Sequence, residues 1–252
     1  MTPTPRLPVA AFGFDLGETL YHYRSVPLRW VEDVRPLVER TLDALGADRT
    51  RDDVATAHEG AGDVATASLD RLTGVTASSV LTDVLSRLGP RRSARVETVL
   101  ETAVGRLRRD IVAYPDAVAT LAALKRAGFA VGALTNVPFG TPRRLVRRDL
   151  ERTGLAPFFD ALVTSVDVGL RKPHRATFAW LAAMLGVEPR EIAYVGNLPT
   201  DVSGARASGC VPVFLDRRHS RADHGQTVTV AGLSELPDLF VRSDEAAGPP
   251  LG

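Results

Sequence analysis

The 252-residue sequence predicts an α/β protein: a Rossmann-like, mainly parallel sheet with helices on both faces, interrupted near its start by an inserted α-helical module. Three observations predict it. The run Val9 to Asp15 is short, almost continuously apolar and ends on a carboxylate, as a strand buried on both faces does. From Pro115 onward, helical and strand patterns alternate. Between these regions apolar residues recur at three- and four-residue spacing, as in Trp30, Val34, Leu37, Val38 and Leu42, and again in Val96, Val99, Leu100, Val104 and Leu107.

Each element follows from its pattern. After the strand Val9 to Asp15, the three-to-four spacing makes residues 24–113 a helical lid. The alternating part reads as helix Asp116 to Ala127, strand Phe129 to Thr135, helix Thr141 to Arg152 and a short strand at Ala161 to Thr164. Helix Arg175 to Leu185, strand Ile192 to Val195, helix Thr200 to Ser208 and strand Val211 to Leu215 complete it. The core thus comprises residues 1–23 and 114–241. Residues 242–252, ending Ala-Ala-Gly-Pro-Pro-Leu-Gly, lack periodicity and are expected to be a disordered tail.

Composition narrows the function. With 44% apolar and 24% charged residues, the chain can bury a sizeable core. A net charge of +1 leaves no excess of positive charge for nucleic acid or an anionic membrane surface, so a small molecule is the expected partner. Cys210 stands alone, no apolar run approaches the roughly 20 residues that cross a bilayer, and the opening does not resemble a signal peptide. Those features point to the cytoplasm.

Doubly wound sheets bind ligands at the carboxyl ends of their strands. There the sequence places Asp15 to Thr19, Thr135-Asn136, Lys172, and Gly196-Asn197 with Asp201 beyond. Lys125 and Lys172 are the two lysines of a chain that otherwise uses Arg, so each asks for a reason. Lys125, on a helix end, reads as a surface residue. Lys172 reads as a compact point charge beside anions.

These four clusters, in order, resemble the motifs of the haloacid dehalogenase superfamily of aspartate-nucleophile hydrolases. The first reads Phe14-Asp15-Leu16-Gly17-Glu18-Thr19-Leu20 and the second Leu134-Thr135-Asn136. The third is Gly169-Leu170-Arg171-Lys172-Pro173-His174 with Phe178 following, and the fourth is Tyr194-Val195-Gly196-Asn197-Leu198-Pro199-Thr200-Asp201. The resemblance implies that Asp15 is the nucleophile, forming a covalent intermediate that water hydrolyses. Lys172, the Thr135 hydroxyl and the backbone amides near Asn136 would face the developing oxyanions.

Two departures matter. The family's phosphatases carry a second Asp two positions after the nucleophile, as general acid and base, where this chain has Gly17. The fourth motif has Asn197 in place of the metal-binding Asp, leaving Asp201 as the nearby carboxylate. A weakened Mg²⁺ site of Asp15, the Gly17 carbonyl, Asn197 and Asp201 is the expectation. Glu18 could stand in as acid or base, and His22 flanks the mouth. No lysine lies between Thr19 and Pro115, which excludes the phosphonatase branch with its lid-lysine Schiff base. The expected function is hydrolysis of a small phosphorylated metabolite through an aspartyl-phosphate. Metal-independent 2-haloacid dehalogenation is the alternative, with lid arginines such as Arg24, Arg29, Arg35 and Arg40 available for a substrate carboxylate. A nearly inactive binding protein is the second alternative. His174 reads as a helix-start residue, and His58, His219 and His224 show no metal-ligand spacing.

Overall fold

The structure, a computed structural model, describes residues 6–24, 110–137 and 141–246. Residues 25–109 of the expected lid, including Arg29, Arg35, Arg40 and His58, lie outside the described residues, as does the chain after 246.

Ten short strands are present: β1 (Leu7–Val9), β2 (Ala11–Phe14), β3 (Tyr21–Tyr23), β4 (Ile111–Ala113) and β5 (Ala130–Thr135), then β6 (Ala161–Thr164), β7 (Ile192–Gly196), β8 (Val211–Leu215), β9 (Val228–Val230) and β10 (Phe240–Arg242) among the described residues. Six of them form one sheet in the order β6-β5-β2-β7-β8-β9, every neighbour pair parallel. Its central strands are buried on both faces, which is why they read as unbroken apolar runs.

Alternation along β2 divides the core. Phe12 and Phe14 join Leu121, Leu124, Val131 and Val195 in one apolar cluster, whereas Ala11 belongs to another with Leu134, Phe178, Leu181 and Tyr194. Helix α1 (Ala117–Arg126) buries Ala117, Thr120, Leu121 and Leu124, the i, i+3, i+4, i+7 set of one helical face. α2 (Arg143–Arg152) lies on the same side through Val146 and Leu150. After the single turn α3 (Ser165–Val168), α4 (Arg175–Leu185) covers the other side with Phe178, Leu181 and Ala182, and α5 (Pro199–Ser208) adds Ala205. Each fully buried Leu or Phe contributes about 1.5–3 kcal/mol. α5 stops at Gly209, whose φ of 84° closes the helix in the left-handed region that glycine adopts freely.

The expected strand Val9 to Asp15 is two strands. β1 pairs with β10 in a separate parallel ribbon, and the break falls at Ala10, whose N–H donates to the Glu191 carbonyl at 2.8 Å. The ribbon carries regular structure past the expected core boundary at 241: β10 runs to Arg242 and the turn α7 (Ser243–Ala246) follows α6 (Leu236–Leu239). The segment expected as a tail therefore starts with a strand residue and a helical turn, because Arg242 pairs with Val9.

The two connections to the insertion leave the core side by side. β3 and β4 pair antiparallel, with Tyr21 opposite Ala113 and Tyr23 opposite Ile111. The Arg24 N–H donates to the Asp110 carbonyl at 3.1 Å, and that of Tyr114 to the Leu20 carbonyl at 2.9 Å. This hairpin rises directly from the turn that follows Asp15.

Candidate active site

β2 is central, so its carboxyl end lies between those of β5 and β7, and three candidate clusters meet there. Asp15 follows β2, anchored by its N–H on the Val195 carbonyl at 2.9 Å, and is nearly buried. Lys172 reaches it from the loop before α4. Its Nζ is 2.7 Å from Asp15 Oδ1, 2.7 Å from Asp201 Oδ1 and 2.9 Å from the Tyr194 hydroxyl oxygen. Asp201 sits in the first turn of α5, where its Oδ2 accepts the Leu198 N–H at 3.0 Å and the helix dipole favours a negative charge.

Asn136 holds the lysine by its backbone. The Asn136 Oδ1 accepts the Lys172 N–H at 2.8 Å, and its Nδ2 donates to the Lys172 carbonyl at 3.1 Å. Both polar atoms of its side chain are thereby used on the Lys172 backbone, which leaves the backbone amides near Asn136 as the expected donors there. Thr135 ends β5 as a buried residue whose hydroxyl bonds no described residue, leaving it for a ligand.

One ammonium faces two carboxylates in a water-poor site, and the charges respond accordingly. Burial alone would lower the Lys172 ammonium, but the charges of Asp15 and Asp201 outweigh it and hold it well above its ordinary value. Burial pushes the Asp201 carboxyl up to about 6; Lys172 opposes the rise and the Asp15 charge adds to it. Lys172 is therefore a permanent cation here. Lys125, by contrast, makes a partly exposed pair with Asp160 at 2.6 Å, as a surface lysine would.

Glu18 is not brought into this cluster. Its backbone has φ 57°, which costs a non-glycine residue about 1–2 kcal/mol. Its carboxylate accepts the Tyr114 hydroxyl at 2.9 Å. Arg217 packs over the Tyr114 ring at 4.0 Å, donates to both Asp116 oxygens at 3.0 and 2.9 Å, and reaches the Thr19 carbonyl at 3.1 Å. Burial, then the Glu18 hydrogen bond and charge, push the Tyr114 phenol up to about 12, so it stays a donor. The His22 ring packs tilted against Tyr114, centroids 5.0 Å apart, with a buried Nδ1 that bonds no described residue. His174 is the N-cap of α4, accepting the Ala176 N–H at 3.2 Å.

The expected Mg²⁺ donors separate into two kinds. Asp201 accepts the Leu198 N–H at one oxygen, while its buried Oδ1 lies 2.7 Å from the Lys172 ammonium and makes no hydrogen bond among the described residues. The Asp15 carboxylate keeps lone pairs beyond the one on Oδ1 that faces that ammonium, and the Asn197 Oδ1 accepts the Thr19 hydroxyl at 3.1 Å and retains a second lone pair. With the Gly17 carbonyl, these make a sparse oxygen set of a kind that suits a Mg²⁺ keeping several waters. No group of three or more His, Cys, Asp and Glu side chains able to hold a metal exists among the described residues.

Sequence reasoning missed Tyr194, Tyr114, Asp116 and Arg217. The signal for Tyr194 was present: a hydroxyl in the otherwise apolar Ile-Ala-Tyr-Val-Gly strand, and Gly13 in the middle of β2. A Cβ on Gly13 would lie 2.7 Å from the Tyr194 ring.

The chain is 41% identical over 119 residues to the phosphoserine phosphatase of Thermus thermophilus, covering 47% of this chain and 46% of the relative. It is 31% identical over 136 residues to (S)-2-haloacid dehalogenase 1 of a Pseudomonas species, covering 53% and 58%. The chain thus spans about half the length of the curated relatives it matches. A solved 2-haloacid dehalogenase from Pseudomonas syringae shares the fold, with a TM-score of 0.64 at 20% identity over 92% of this chain and 97% of that one. With residues 9–209 matching the haloacid dehalogenase-like hydrolase signature, and the fold agreeing, the chain belongs to the haloacid dehalogenase-like hydrolase family.

Proposed function

We propose that this protein is a phosphatase that hydrolyses a small phosphorylated metabolite through an aspartyl-phosphate on Asp15. The observation that carries the reading is the Lys172 ammonium 2.7 Å from the Asp15 carboxylate at the carboxyl edge of the sheet. The relative named phosphoserine phosphatase supports it.

The geometry supports the following steps. Lys172 holds Oδ1 of Asp15 and leaves Oδ2 for in-line attack on phosphorus. A bond forms from Oδ2 to phosphorus, and the bond to the ester oxygen breaks with its electron pair, that oxygen then taking a proton. Water next attacks the phosphorus of the aspartyl-phosphate, releasing inorganic phosphate and the Asp15 carboxylate. Throughout, the Lys172 charge and the Thr135 hydroxyl face the oxyanions, in a site dry enough to strengthen both. Mg²⁺, held by Asp15, the Gly17 carbonyl and Asn197, would neutralise further phosphoryl charge.

A second reading has its own support. A site in which Asp201 is tied to Lys172 suits a metal-free reaction, and one relative is named a 2-haloacid dehalogenase. There Asp15 would displace halide from carbon and form an ester. A screen of phosphate monoesters and 2-haloacids, with and without Mg²⁺, separates the two. Asp15→Asn should keep the fold and lose turnover of whichever class is accepted. Unchanged turnover in Asp15→Asn would refute both, and tight ligand binding without turnover in the wild type would favour a binding protein. No helix among the described residues is long and apolar enough to cross a membrane, and the chemistry suits a small-molecule partner in the cytoplasm.

A further inference from the structure

We infer that Tyr194 is a positioning residue for the reaction: its hydroxyl, locked onto the Leu134 carbonyl across Gly13, aims the Lys172 ammonium at Asp15. The inference rests on the reading of Asp15 and Lys172 as the reacting centre, and it adds a residue that the motif pattern does not explain.

The geometry is specific. Tyr194 lies on β7 and Leu134 on β5, with β2 between them. Tyr194 and Gly132 occupy the same row of the sheet, both paired with Gly13. The phenol must therefore pass over Gly13 to donate its proton to the Leu134 carbonyl, which it does at 2.7 Å. Any side chain at Gly13 would occupy that path, since a Cβ there meets the ring at 2.7 Å. Phe178 packs edge-on against the ring at 4.8 Å and holds it from α4.

Donation to Leu134 fixes the polarity of the hydroxyl. With its proton spent, Tyr194 offers a lone pair, and the Lys172 Nζ donates to it at 2.9 Å. An ammonium has three N–H groups; Asp15 and Tyr194 accept two of them, and the Asp201 Oδ1 lies 2.7 Å away as an ion-pair partner without a hydrogen bond. The Asp15 bond alone would leave the head group free to rotate about it. Tyr194 is fully buried, so water does not replace it.

The test is Tyr194→Phe, which keeps the ring. Losing one hydrogen bond to a charged group should lower kcat about 10- to 100-fold, with KM within about twofold of wild type, because Lys172 acts on charge that develops after binding. Aryl phosphate serves as the probe substrate. The chain has two lysines, so ¹⁵N-lysine labelling gives two ammonium signals to follow by NMR. In the wild type the Lys172 protons should exchange slowly, and those of partly exposed Lys125 rapidly. In Tyr194→Phe the Lys172 signal should broaden or exchange at least about 10-fold faster, with Lys125 unchanged. Rapid Lys172 exchange already in the wild type would overturn the inference whether or not the variant folds, as would a variant with unaltered kcat and an unaltered Lys172 signal. A shifted Lys172 signal in a protein whose wild type hydrolyses no probe would uphold the positioning and overturn the hydrolytic reading instead.

Discussion

Replacing Lys172 by Met should expose how much of the site's stability rests on one ammonium. Two contacts of 2.7 Å place the facing oxygens of Asp15 and Asp201 at most about 5.4 Å apart, where two unit charges at an effective dielectric of about 20 repel by about 3 kcal/mol or more. Removing one partner of a buried pair costs about 3–5 kcal/mol, so Lys172→Met should lose about that much at pH 7, a large share of a typical 5–15 kcal/mol. Adding Asp201→Asn removes one of the two repelling charges. The double variant should recover about 2–3 kcal/mol of the loss, which a double-mutant cycle reads as coupling. Urea unfolding of the four proteins at pH 7 measures it, and repeating at pH 5 should shrink the Lys172→Met cost as one carboxyl takes up a proton. A cost below about 1 kcal/mol, or strictly additive costs, would refute the picture of one cation serving two carboxylates.

Three further outcomes are expected. If the missing acid limits the reaction, Gly17→Asp should raise alkyl-phosphate hydrolysis relative to aryl phosphates by about 10²-fold or more, the scale of general acid–base catalysis, as read from the ratio of the two kcat/KM values. Glu18→Gln should change that ratio little, because the Glu18 carboxylate is held on Tyr114. Asn197→Asp adds a charge to the sparse oxygen set and should tighten Mg²⁺ binding in calorimetry, whereas Asp201→Asn should leave it within about threefold. The last concerns pH. The folded Asp201 carboxyl stands at about 6 against 3.8 for its ordinary value, so between those values the folded state holds a proton that the unfolded chain has released. Stability from this group is present at low pH and falls as pH rises, by about 1 kcal/mol from pH 5 to pH 7. Denaturation curves of wild type and Asp201→Asn at the two pH values should differ by that amount.

The parallel core was legible because strands covered on both faces become continuous apolar runs, and because helix and strand alternate from Pro115 onward. Asp15, Thr135 and Asn197 stood out because each lies at or just after the end of such a run, and Lys172 because it is one of two lysines in a chain that otherwise uses Arg. Edge elements were not. Leu7–Val9 and Phe240–Arg242 are short, far apart in sequence, and acquire their ribbon only by pairing with each other. Roles that depend on a third residue were also hidden. The Asn136 side chain bridges the N–H and the carbonyl of Lys172, and the Asp201 Oδ1 lies 2.7 Å from the Lys172 ammonium, arrangements that appear only once three strand ends meet. Glu18 faces Tyr114, 96 residues away, a contact that no local pattern announces.

The β3–β4 hairpin gives the fold a splice point. Chain that departs at Tyr23 and comes back opposite it at Ile111 is, to the sheet, merely a long loop with its ends already tied. Doubling the length of such a loop costs only about 0.6 kcal/mol of closure entropy, and no strand register changes. Lineages could therefore graft, lengthen or rewrite the intervening module while the nucleophile, its lysine and their supports stay untouched, so substrate choice and bond-breaking chemistry can evolve on separate schedules.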